Sequence, residues 1–342
     1  MKMAGKYMKI SIIVPIYNID AFIQYCVRSV QKQTFGDFEL LLVDDGSTDG
    51  SGCVCDSLAR EDARIRVLHR KNGGPLDARL AGIREATGEV LVFLDGDDSL
   101  RPDALEQIAG CFAQQDCDLV LYDAGTCEDY DTLCPVNALE PRRLYRQEEK
   151  KLLYAKLIDG SIPNCIWQKA VKRSLVQETE VLARLRDLKY GEDLLMTAQL
   201  LTDCSSVYYL PEGLYRYRNR PGSAIHALGE SRTEAVKAVH GALAEYLELW
   251  NMPELTGLHS CRKVKGWAEL LLVLLKNRQE LTAAEFETRL HDMARDPYFR
   301  KAYRTMDPRG LSPSRHLAAH WLVNRQYGML RLLAGALEKR KG

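Results

Sequence analysis

The chain lacks several features that would assign it to a common class of protein. Its 342 residues contain no uninterrupted apolar run of about 18 residues, so no transmembrane helix is predicted. Residues 1–9 are basic but lead straight into a strand-like segment, which argues against a secretory signal and favours a cytoplasmic location. The ten cysteines are therefore expected to be reduced thiols, and their spacing does not fit a zinc site. Charge is balanced at 47 basic and 47 acidic residues, so the composition indicates no nucleic-acid partner.

Two common phosphate-binding motifs are absent as well. The chain contains no G-x-x-x-x-G-K-[ST] sequence, and no G-x-G-x-x-G follows its first predicted strand. These absences argue against a P-loop nucleotidase and against a Rossmann dinucleotide-binding domain.

Short apolar runs alternate with longer amphipathic runs over the first 125 residues. The short runs are almost entirely apolar, as in strands covered on both faces, and are predicted at Ile10–Ile16, Phe38–Val43, Ile65–Leu68, Val90–Leu94 and Leu119–Tyr122. Helices are predicted at Ala21–Gln33, Ser51–Glu61, Leu76–Thr87 and Pro102–Gln115, with Pro102 expected in the first turn of its helix. The alternation predicts an α/β domain with a mainly parallel central sheet.

The rest of the chain is less regular. Residues 124–150 are predicted to form a long surface segment. Residues 151–222 form a mixed region, with helices near 152–158 and 194–201 and strands near 206–210 and 214–218. From about residue 230 the pattern is helical and interrupted by prolines. We therefore expect two domains, an α/β domain over residues 1–225 and a C-terminal α-helical module over residues 226–342.

Three carboxylates stand together after the fourth predicted strand, at Asp95, Asp97 and Asp98. In an open α/β sheet, ligands bind outside the carboxyl ends of the strands. Carboxylates are hard oxygen donors that suit Mg²⁺ or Mn²⁺, which complete their coordination with water and substrate phosphates. The alternative is a solvated turn, because Asp and Gly are common turn residues.

Other loops carry polar groups that also have two interpretations. Asp44 or Asp45, at the end of the second strand, could accept a hydrogen bond from a base or ribose, or both could belong to a capped turn. Asn72–Gly74 could allow close backbone approach to a ligand and Arg79 could pair with phosphate, or the segment could be a plain turn before a solvated arginine. Glu192 and Asp193 open a helical run, where they could complement the helix dipole or supply a general base.

Arginines are concentrated between residues 215 and 223. Arg216, Arg218 and Arg220 lie within five positions, just before Ser223. Such a group could clamp a diphosphate or could form a basic strand edge.

Taken together and in this order, these segments resemble the family-2 glycosyltransferases with a GT-A fold. The resemblance covers residues 9–223, about two thirds of the chain. The segments that carry it are Ser11–Asn18, Ser29–Thr34, Phe38–Asp49, Asn72–Gly74, Ala78–Arg79, Gly88–Asp98 and Gly191–Asp193.

The resemblance implies a role for each matching residue. Asp45 would read the nucleobase, with Pro15 and Tyr17 as the wall of that pocket. Asn72 and Arg79 would contact the nucleotide. Asp97 would be the first metal ligand, Asp95 would lie toward the nucleotide and also serve the metal, and Asp98 would be a substitute ligand. Asp193 would be the catalytic base, with Glu192 as its neighbour, and Arg218, Arg220 and Ser223 would close over the diphosphate.

The implied function is an inverting glycosyltransferase that depends on Mn²⁺ or Mg²⁺. It would move a sugar from a nucleotide-sugar, with a UDP-sugar favoured, to a hydroxyl of a glycan or lipid-linked saccharide in cell-surface polysaccharide synthesis. An alternative is a catalytically silent relative of the same fold that acts as a scaffold in a synthase complex. A phosphatase is disfavoured, because the segment after the Asp95 cluster lacks a suitable threonine.

Two segments depart from the family pattern. Pro75, Leu76 and Asp77 follow the glycines where small residues are usual, so Asp77 would bring negative charge toward the pyrophosphate unless its side chain points away. Trp167-Gln168-Lys169 stands where Trp-Asn-Lys is frequent, and Trp167 is expected either in the core or as a floor for the acceptor.

The last predicted helix, Pro313–Lys341, is basic and amphipathic. It could pack on the other C-terminal helices, or could contact the inner face of the plasma membrane as a peripheral anchor. The apolar stripe of this helix is Leu322, Met329, Leu330, Leu333 and Leu337, and its cations are Arg315, Arg325, Arg331, Lys339, Arg340 and Lys341.

The sequence also leaves open whether the protein forms a homo-oligomer.

Overall fold

A computed structural model describes residues 8–125, 130, 132–133, 137–186, 188, 190–218 and 230–338. These residues divide into two compact units, the first made of residues 8–157 and 161–218 and the second of residues 158–160 and 230–338. The predicted boundary at residue 225 lies outside the described residues and stays a prediction.

The first unit is built on a mixed sheet. Its strands are β1 Ile10–Ile16, β2 Phe38–Asp44, β3 Ile65–His69, β4 Val90–Phe93, β5 Ser99–Leu100, β6 Leu119–Gly125, β7 Leu144–Arg146, β8 Lys169–Lys172 and β9 Ser206–Arg216. The helices before residue 218 are α1 Asp20–Gln31, α2 Ser51–Glu61, α3 Pro75–Glu85, α4 Ala104–Gln115, α5 Lys150–Asp159, α6 Glu180–Arg184 and α7 Glu192–Asp203.

The strand order confirms the prediction of a mainly parallel central sheet. In the described residues it is β3-β2-β1-β4-β8-β6-β9-β5, with β7 also paired to β9. The run β3-β2-β1-β4 is parallel, as is the pair of β6 and β9, while β5, β7 and β8 are antiparallel to their neighbours. The carboxyl ends of β1 to β4 therefore meet at one edge of the sheet, where ligands bind in open α/β folds.

Several elements differ from the sequence prediction. The four-residue strand β8 lies between β4 and β6 and was not predicted, because a short run with a lysine at each end carries no strand pattern. The two strands predicted near 206–210 and 214–218 are one strand, β9, with register shifts opposite Asp123. Pro102 precedes α4 instead of opening it, because Asp103 occupies the position before the helix.

A buried acid joins the first two strands to the turn before β4. Glu39 of β2 accepts hydrogen bonds from Ser11 Oγ at 2.6 Å and from Thr87 N and Oγ1 at 2.6 and 2.8 Å. Burial alone would raise the pKa of Glu39, but these hydrogen bonds lower it to about 2. The ionised carboxylate therefore stabilises the fold at pH values above the ordinary range of a glutamate, and that contribution is lost as the pH falls through about 2.

Glu39→Gln should lower the free energy of unfolding at pH 7 by about 2–3 kcal/mol, because the carboxylate favours the folded state only when it is ionised. Urea denaturation at pH 7 and at pH 3 measures the difference, which should shrink at the lower pH. Glu61→Gln is the matched control, since Glu61 is exposed at the end of α2. A difference that is the same at both pH values would contradict this explanation.

The second unit is helical in its described part. Its helices are α8 Glu230–Leu249, α9 Thr256–Lys276, α10 Ala283–Arg295, α11 Pro297–Thr305, α12 Pro313–Val323 and α13 Tyr327–Glu338. Its core contains Trp267, Phe286 and Phe299. Among the helices that the structure describes, none combines the length and apolarity needed to span a membrane.

The predicted terminal helix is two helices. It breaks after Val323, where Arg325 adopts a φ of 57°. Leu322 and Leu330 are fully buried, so packing on neighbouring helices is the arrangement observed. Leu332 is 70% exposed, and membrane contact through this region stays a prediction. Lys339, Arg340 and Lys341 lie outside the described residues.

Candidate functional site

The loops after β2 and β3 are bound to each other through Asp45. Its buried carboxylate accepts hydrogen bonds from the backbone N–H groups of Gly73 at 3.0 Å and Gly74 at 2.7 Å. The side-chain amide of Asn72 donates to the carbonyl oxygen of Asp45 at 3.0 Å. Gly74 has a φ of 90°, a left-handed conformation that favours glycine. Asp45 thus shapes the Gly-rich loop, and its predicted contact with a nucleobase stays a prediction.

The carboxylate of Asp77 lies close to the Gly-rich loop, because a Cβ built on Gly73 would collide with it. Asp77 is buried, and its carboxylate pairs with the guanidinium of Arg70. Arg186 Nε lies 3.5 Å from the same carboxylate. The negative charge that Asp77 adds where the family has small residues is therefore neutralised by two cations of the protein itself.

The ends of β1 and β2 are also joined. Asn18 Oδ1 accepts a hydrogen bond from Thr48 N at 2.8 Å. Pro15 is half-buried and Tyr17 is 50% exposed at the same edge of the sheet. Both predicted pocket residues therefore lie beside the loop that carries Asp45, although contact with a base is untested.

Arg79 is the centre of the most highly charged part of the site. Its buried guanidinium donates to Asp95 Oδ1 at 2.9 Å and to Glu192 Oε1 at 2.9 Å, and it lies 3.1 Å from Asp193 Oδ1. One cation thus connects the carboxyl end of β4 to the first turn of α7. This network contains three of the predicted site acids around the predicted nucleotide-binding arginine.

The environment of Asp193 suits a group that accepts a proton near neutral pH. Burial raises the pKa of Asp193 to about 6, Arg79 opposes the rise, and the charge of Glu192 adds to it. The pKa of Asp95 is also raised by burial, against the lowering effect of Arg79. A base whose pKa is near the working pH transfers protons most efficiently.

The other oxygen of Asp193 accepts a hydrogen bond from a backbone segment that a buried lysine anchors. Lys169 is completely buried, and its ammonium donates to the carbonyl oxygens of Pro163 at 2.9 Å and Cys165 at 2.6 Å. The next amide along this segment, Ile166 N, lies 3.4 Å from Asp193 Oδ2 and donates to it. Burial lowers the pKa of Lys169 to about 8. The sequence analysis did not single out Lys169 for this role, and its only signal was the Trp-x-Lys triplet.

The three acids after β4 have different surroundings. Asp98 is 1% exposed, and its two oxygens accept hydrogen bonds from Tyr215 Oη and from Arg218 N at 2.7 Å. Burial, together with the charges of Asp95 and Asp97, raises the pKa of Asp98 to about 8. Asp98 thus ties the turn to β9, and a role as metal ligand stays a prediction for it.

The remaining two acids fit a divalent cation by their chemistry. The Asp95 carboxylate is 30% exposed and Asp97 is half-buried, so both have oxygens near the surface. Within the described ranges, no three His, Cys, Asp or Glu side chains form a group ready to hold a metal by themselves. Mg²⁺ is usually held by one or two carboxylates together with water and substrate phosphates, which agrees with this small donor set.

Two arginines enclose an aromatic ring beside the turn. The guanidinium carbons of Arg216 and Arg218 lie 5.3 and 4.5 Å from the ring centroid of Tyr25. Arg218 Nε also donates to the carbonyl oxygen of Asp97 at 3.1 Å. Burial and the charge of Arg218 lower the pKa of Arg216. The sequence analysis included Arg216 in the group that could clamp a diphosphate, but the family resemblance implied that role only for Arg218, Arg220 and Ser223.

Arg220 and Ser223, the other predicted diphosphate-binding residues, lie outside the described residues. Trp167 is 6% exposed and stacks on Tyr215 with ring centroids 4.3 Å apart. Trp167 therefore belongs to the core of the first unit, which was one of its two predicted roles.

Comparisons with known proteins agree with this fold. A structure of Staphylococcus aureus TarS residues 1–349 with UDP-GlcNAc matches at a TM-score of 0.63 and 20% identity, covering 97% of this chain and 91% of that one. The mannosyltransferase PcManGT from Pyrobaculum calidifontis, solved with GDP-Man and Mn²⁺, matches at a TM-score of 0.51 and 16% identity over 91% and 85% of the two chains. The fold is therefore the GT-A fold of glycosyltransferases.

Sequence similarity identifies a family for part of the chain. The model described as glycosyl transferase family 2 matches residues 11–177. The uncharacterized glycosyltransferase EpsJ of Bacillus subtilis is 33% identical over 217 residues, which are 63% of this chain and 62% of EpsJ. The match thus spans less than two thirds of that relative. Residues 11–177 are therefore assigned to glycosyl transferase family 2, as the sequence motifs predict.

Proposed function

We propose that this chain is an inverting, metal-dependent glycosyltransferase that uses a nucleoside-diphosphate sugar, with UDP-sugars as the first donor class to test. The observation that carries the proposal is the network around Arg79, which holds Asp193 at the edge of the sheet beside Asp95. The proposed acceptor is a hydroxyl of a glycan or lipid-linked saccharide. The UDP-GlcNAc bound to TarS and the GDP-Man and Mn²⁺ bound to PcManGT support the donor class and the metal.

In the proposed mechanism, the leaving diphosphate is bound by cations of the protein. Arg216 and Arg218 lie beside the Asp97 turn, where guanidinium groups would pair with phosphate oxygens. A divalent cation held by Asp97 and Asp95 would offset the charge that develops on the diphosphate. Tyr25 keeps the two arginines in place by contact with both.

Asp193 would act on the acceptor. Its carboxylate would take the proton from the acceptor hydroxyl as the oxygen attacks the anomeric carbon on the face opposite the diphosphate, which inverts the configuration. Lys169 and the Ile166 amide would hold this carboxylate in place, and Arg79 would keep it from repelling Asp95.

Asp97→Asn should lower metal-dependent release of UDP or GDP by at least about 100-fold, because it removes a carboxylate that would hold the cation. A panel of UDP- and GDP-sugars with Mn²⁺ or Mg²⁺ provides the assay. Asp116→Asn is the matched control: Asp116 is exposed, with a φ of 44° that asparagine tolerates. Wild-type protein that neither binds UDP with Mn²⁺ nor turns over any donor would refute the enzyme and favour the silent scaffold.

A further inference from the structure

A basic concavity of about 290 Å³ lies in the second unit, where helix α10 gives way to α11. It is lined by Arg295, Pro297, Arg300, Lys301, Arg304 and Thr305. Four of these six residues are cations and none is acidic. Because the whole chain is electrically balanced, such a concentration of one sign of charge is a local property of this surface.

The helix geometry explains why the cations gather here. On α11, Phe299 and Ala302 are buried in the core of the unit, so the opposite side of the helix carries Lys301 and Arg304, both exposed. Arg300 is half-buried, and its guanidinium donates to the carbonyl oxygens of Ala294 at 3.3 Å and Val323 at 3.2 Å. The concavity therefore has one anchored arginine, Arg300, and three exposed cations, Arg295, Lys301 and Arg304.

Asp296, an acid between Arg295 and Pro297 of the concavity, binds other groups through both of its carboxylate oxygens. Asp296 Oδ1 accepts hydrogen bonds from Tyr298 N and Phe299 N, which caps α11, and Asp296 Oδ2 lies 2.8 Å from Lys237 Nζ. Among the residues that the structure describes, no ion pair joins a carboxylate to any of the four lining cations. Elsewhere in the unit, cations do have acidic partners, as Arg331 has with Glu287 and Arg315 with Glu269.

A fifth cation, Lys263, lies near Lys301 and adds to the repulsion between the positive charges of the concavity. Lys263 of α9 lies over the ring of Tyr298, with its Nζ 5.2 Å from the centroid. Burial lowers the pKa of Lys263, and the positive charge of Lys301 lowers it further. Like charges without a counter-charge destabilise a protein, and a bound anion removes that cost.

We propose that this basic concavity binds a phosphate or diphosphate group. Guanidinium groups pair with phosphate oxygens in a bidentate geometry, and several cations around one small concavity match a ligand with two or more negative charges. The group could belong to a soluble compound or to the headgroup of an anionic lipid, since both present the same oxygens. The inference does not depend on the proposed transferase activity, because none of these residues belongs to the Arg79 network.

The test compares pyrophosphate binding by wild-type protein and by Lys301→Ala/Arg304→Ala, measured by isothermal titration calorimetry. The variant should bind at this site at least about 10-fold more weakly, because it loses two of the four cations. Any pyrophosphate bound by the first unit contributes equally to both proteins, so the difference isolates the concavity. Lys301→Arg/Arg304→Lys should keep the affinity, since it keeps both charges.

A matched control removes two exposed cations outside the concavity. Lys32→Ala/Arg325→Asn changes the net charge by the same amount, and asparagine tolerates the left-handed backbone at position 325. This control should bind pyrophosphate as the wild type does. If the control loses as much pyrophosphate affinity as the concavity variant does, the loss is explained by net charge alone, and the proposal is overturned.

Flotation with vesicles distinguishes the two sources of the phosphate group. Vesicles of phosphatidylcholine with phosphatidylglycerol are compared with vesicles of phosphatidylcholine alone. If wild-type protein floats with the anionic vesicles and the concavity variant does not, the ligand is a lipid headgroup. If pyrophosphate binding depends on the concavity and flotation does not, the ligand is soluble. Equal pyrophosphate affinity and equal flotation for wild type and concavity variant would overturn the proposal.

Discussion

Asp193→Asn should lower the kcat of sugar transfer by about 10²- to 10⁴-fold, because the amide cannot accept the proton of the acceptor hydroxyl. Binding of the donor should change little, since the replacement keeps the size of the side chain. Steady-state kinetics and calorimetric titration with the preferred nucleotide-sugar measure the two quantities separately. The acceptor is needed only in the first assay.

The pH dependence provides a second check on the same residue. Asp193 must be ionised to act, and its pKa is about 6, so kcat/KM should rise with pH through about 6 and then level off. Asp203→Asn is the matched control on the same helix, where Asp203 accepts a hydrogen bond from Gln199 and, among the described residues, has no ion pair with the Arg79 network. A variant at position 193 that retains more than about a tenth of the wild-type kcat would place the base elsewhere.

Arg79→Gln should destabilise the protein by about 3–5 kcal/mol, the usual cost of removing one partner from a buried ionic network. Without the guanidinium, the carboxylates of Asp95, Glu192 and Asp193 would face one another with no cation between them. Urea denaturation monitored by circular dichroism measures the loss. Transfer activity should disappear as well, because Asp193 loses a contact that positions it.

The control for this change lies on the same helix. Arg84 is exposed and pairs with Glu178 at the surface, so Arg84→Gln should cost less than about 1 kcal/mol. The loss caused by Arg79→Gln should also be smaller at pH 5 than at pH 8, because Asp95 and Asp193, whose pKa values are raised by burial, can then take up protons. A loss that does not depend on pH would point to packing instead of charge.

The parallel strands were predictable because each is an apolar run with a polar loop after it. Val90–Phe93 is continuous in apolar residues, and the acids that follow mark the end of the strand. Strand β8 was not predictable in this way. Lys169–Lys172 forms a strand because β4 and β6 lie on both sides of it, so tertiary contacts override a weak local pattern.

The site was predictable to the extent that it lies on strand ends. Asp45, Asn72 and Asp95 follow β2, β3 and β4, and the arrangement of an open sheet brings their loops to one edge. The contact of Arg79 with Glu192 joins positions 113 residues apart, and no periodicity records which residue of α7 faces α3. Asp98 likewise has the chemistry of a metal ligand, and its hydrogen bonds from Tyr215 of β9 and from Arg218 just after β9 are visible only in three dimensions.

The Arg79 network also has a consequence for how the protein is made. Translation delivers Arg79 and Asp95 to the ribosome exit close together, whereas Glu192 is added 113 residues after Arg79. At the usual rates of synthesis this interval is roughly 6 to 23 s. During that time the acids of α7 are not yet available to pair with Arg79. A fragment that ends at residue 177, where the match to the family ends, therefore stops before the proposed base has been synthesised.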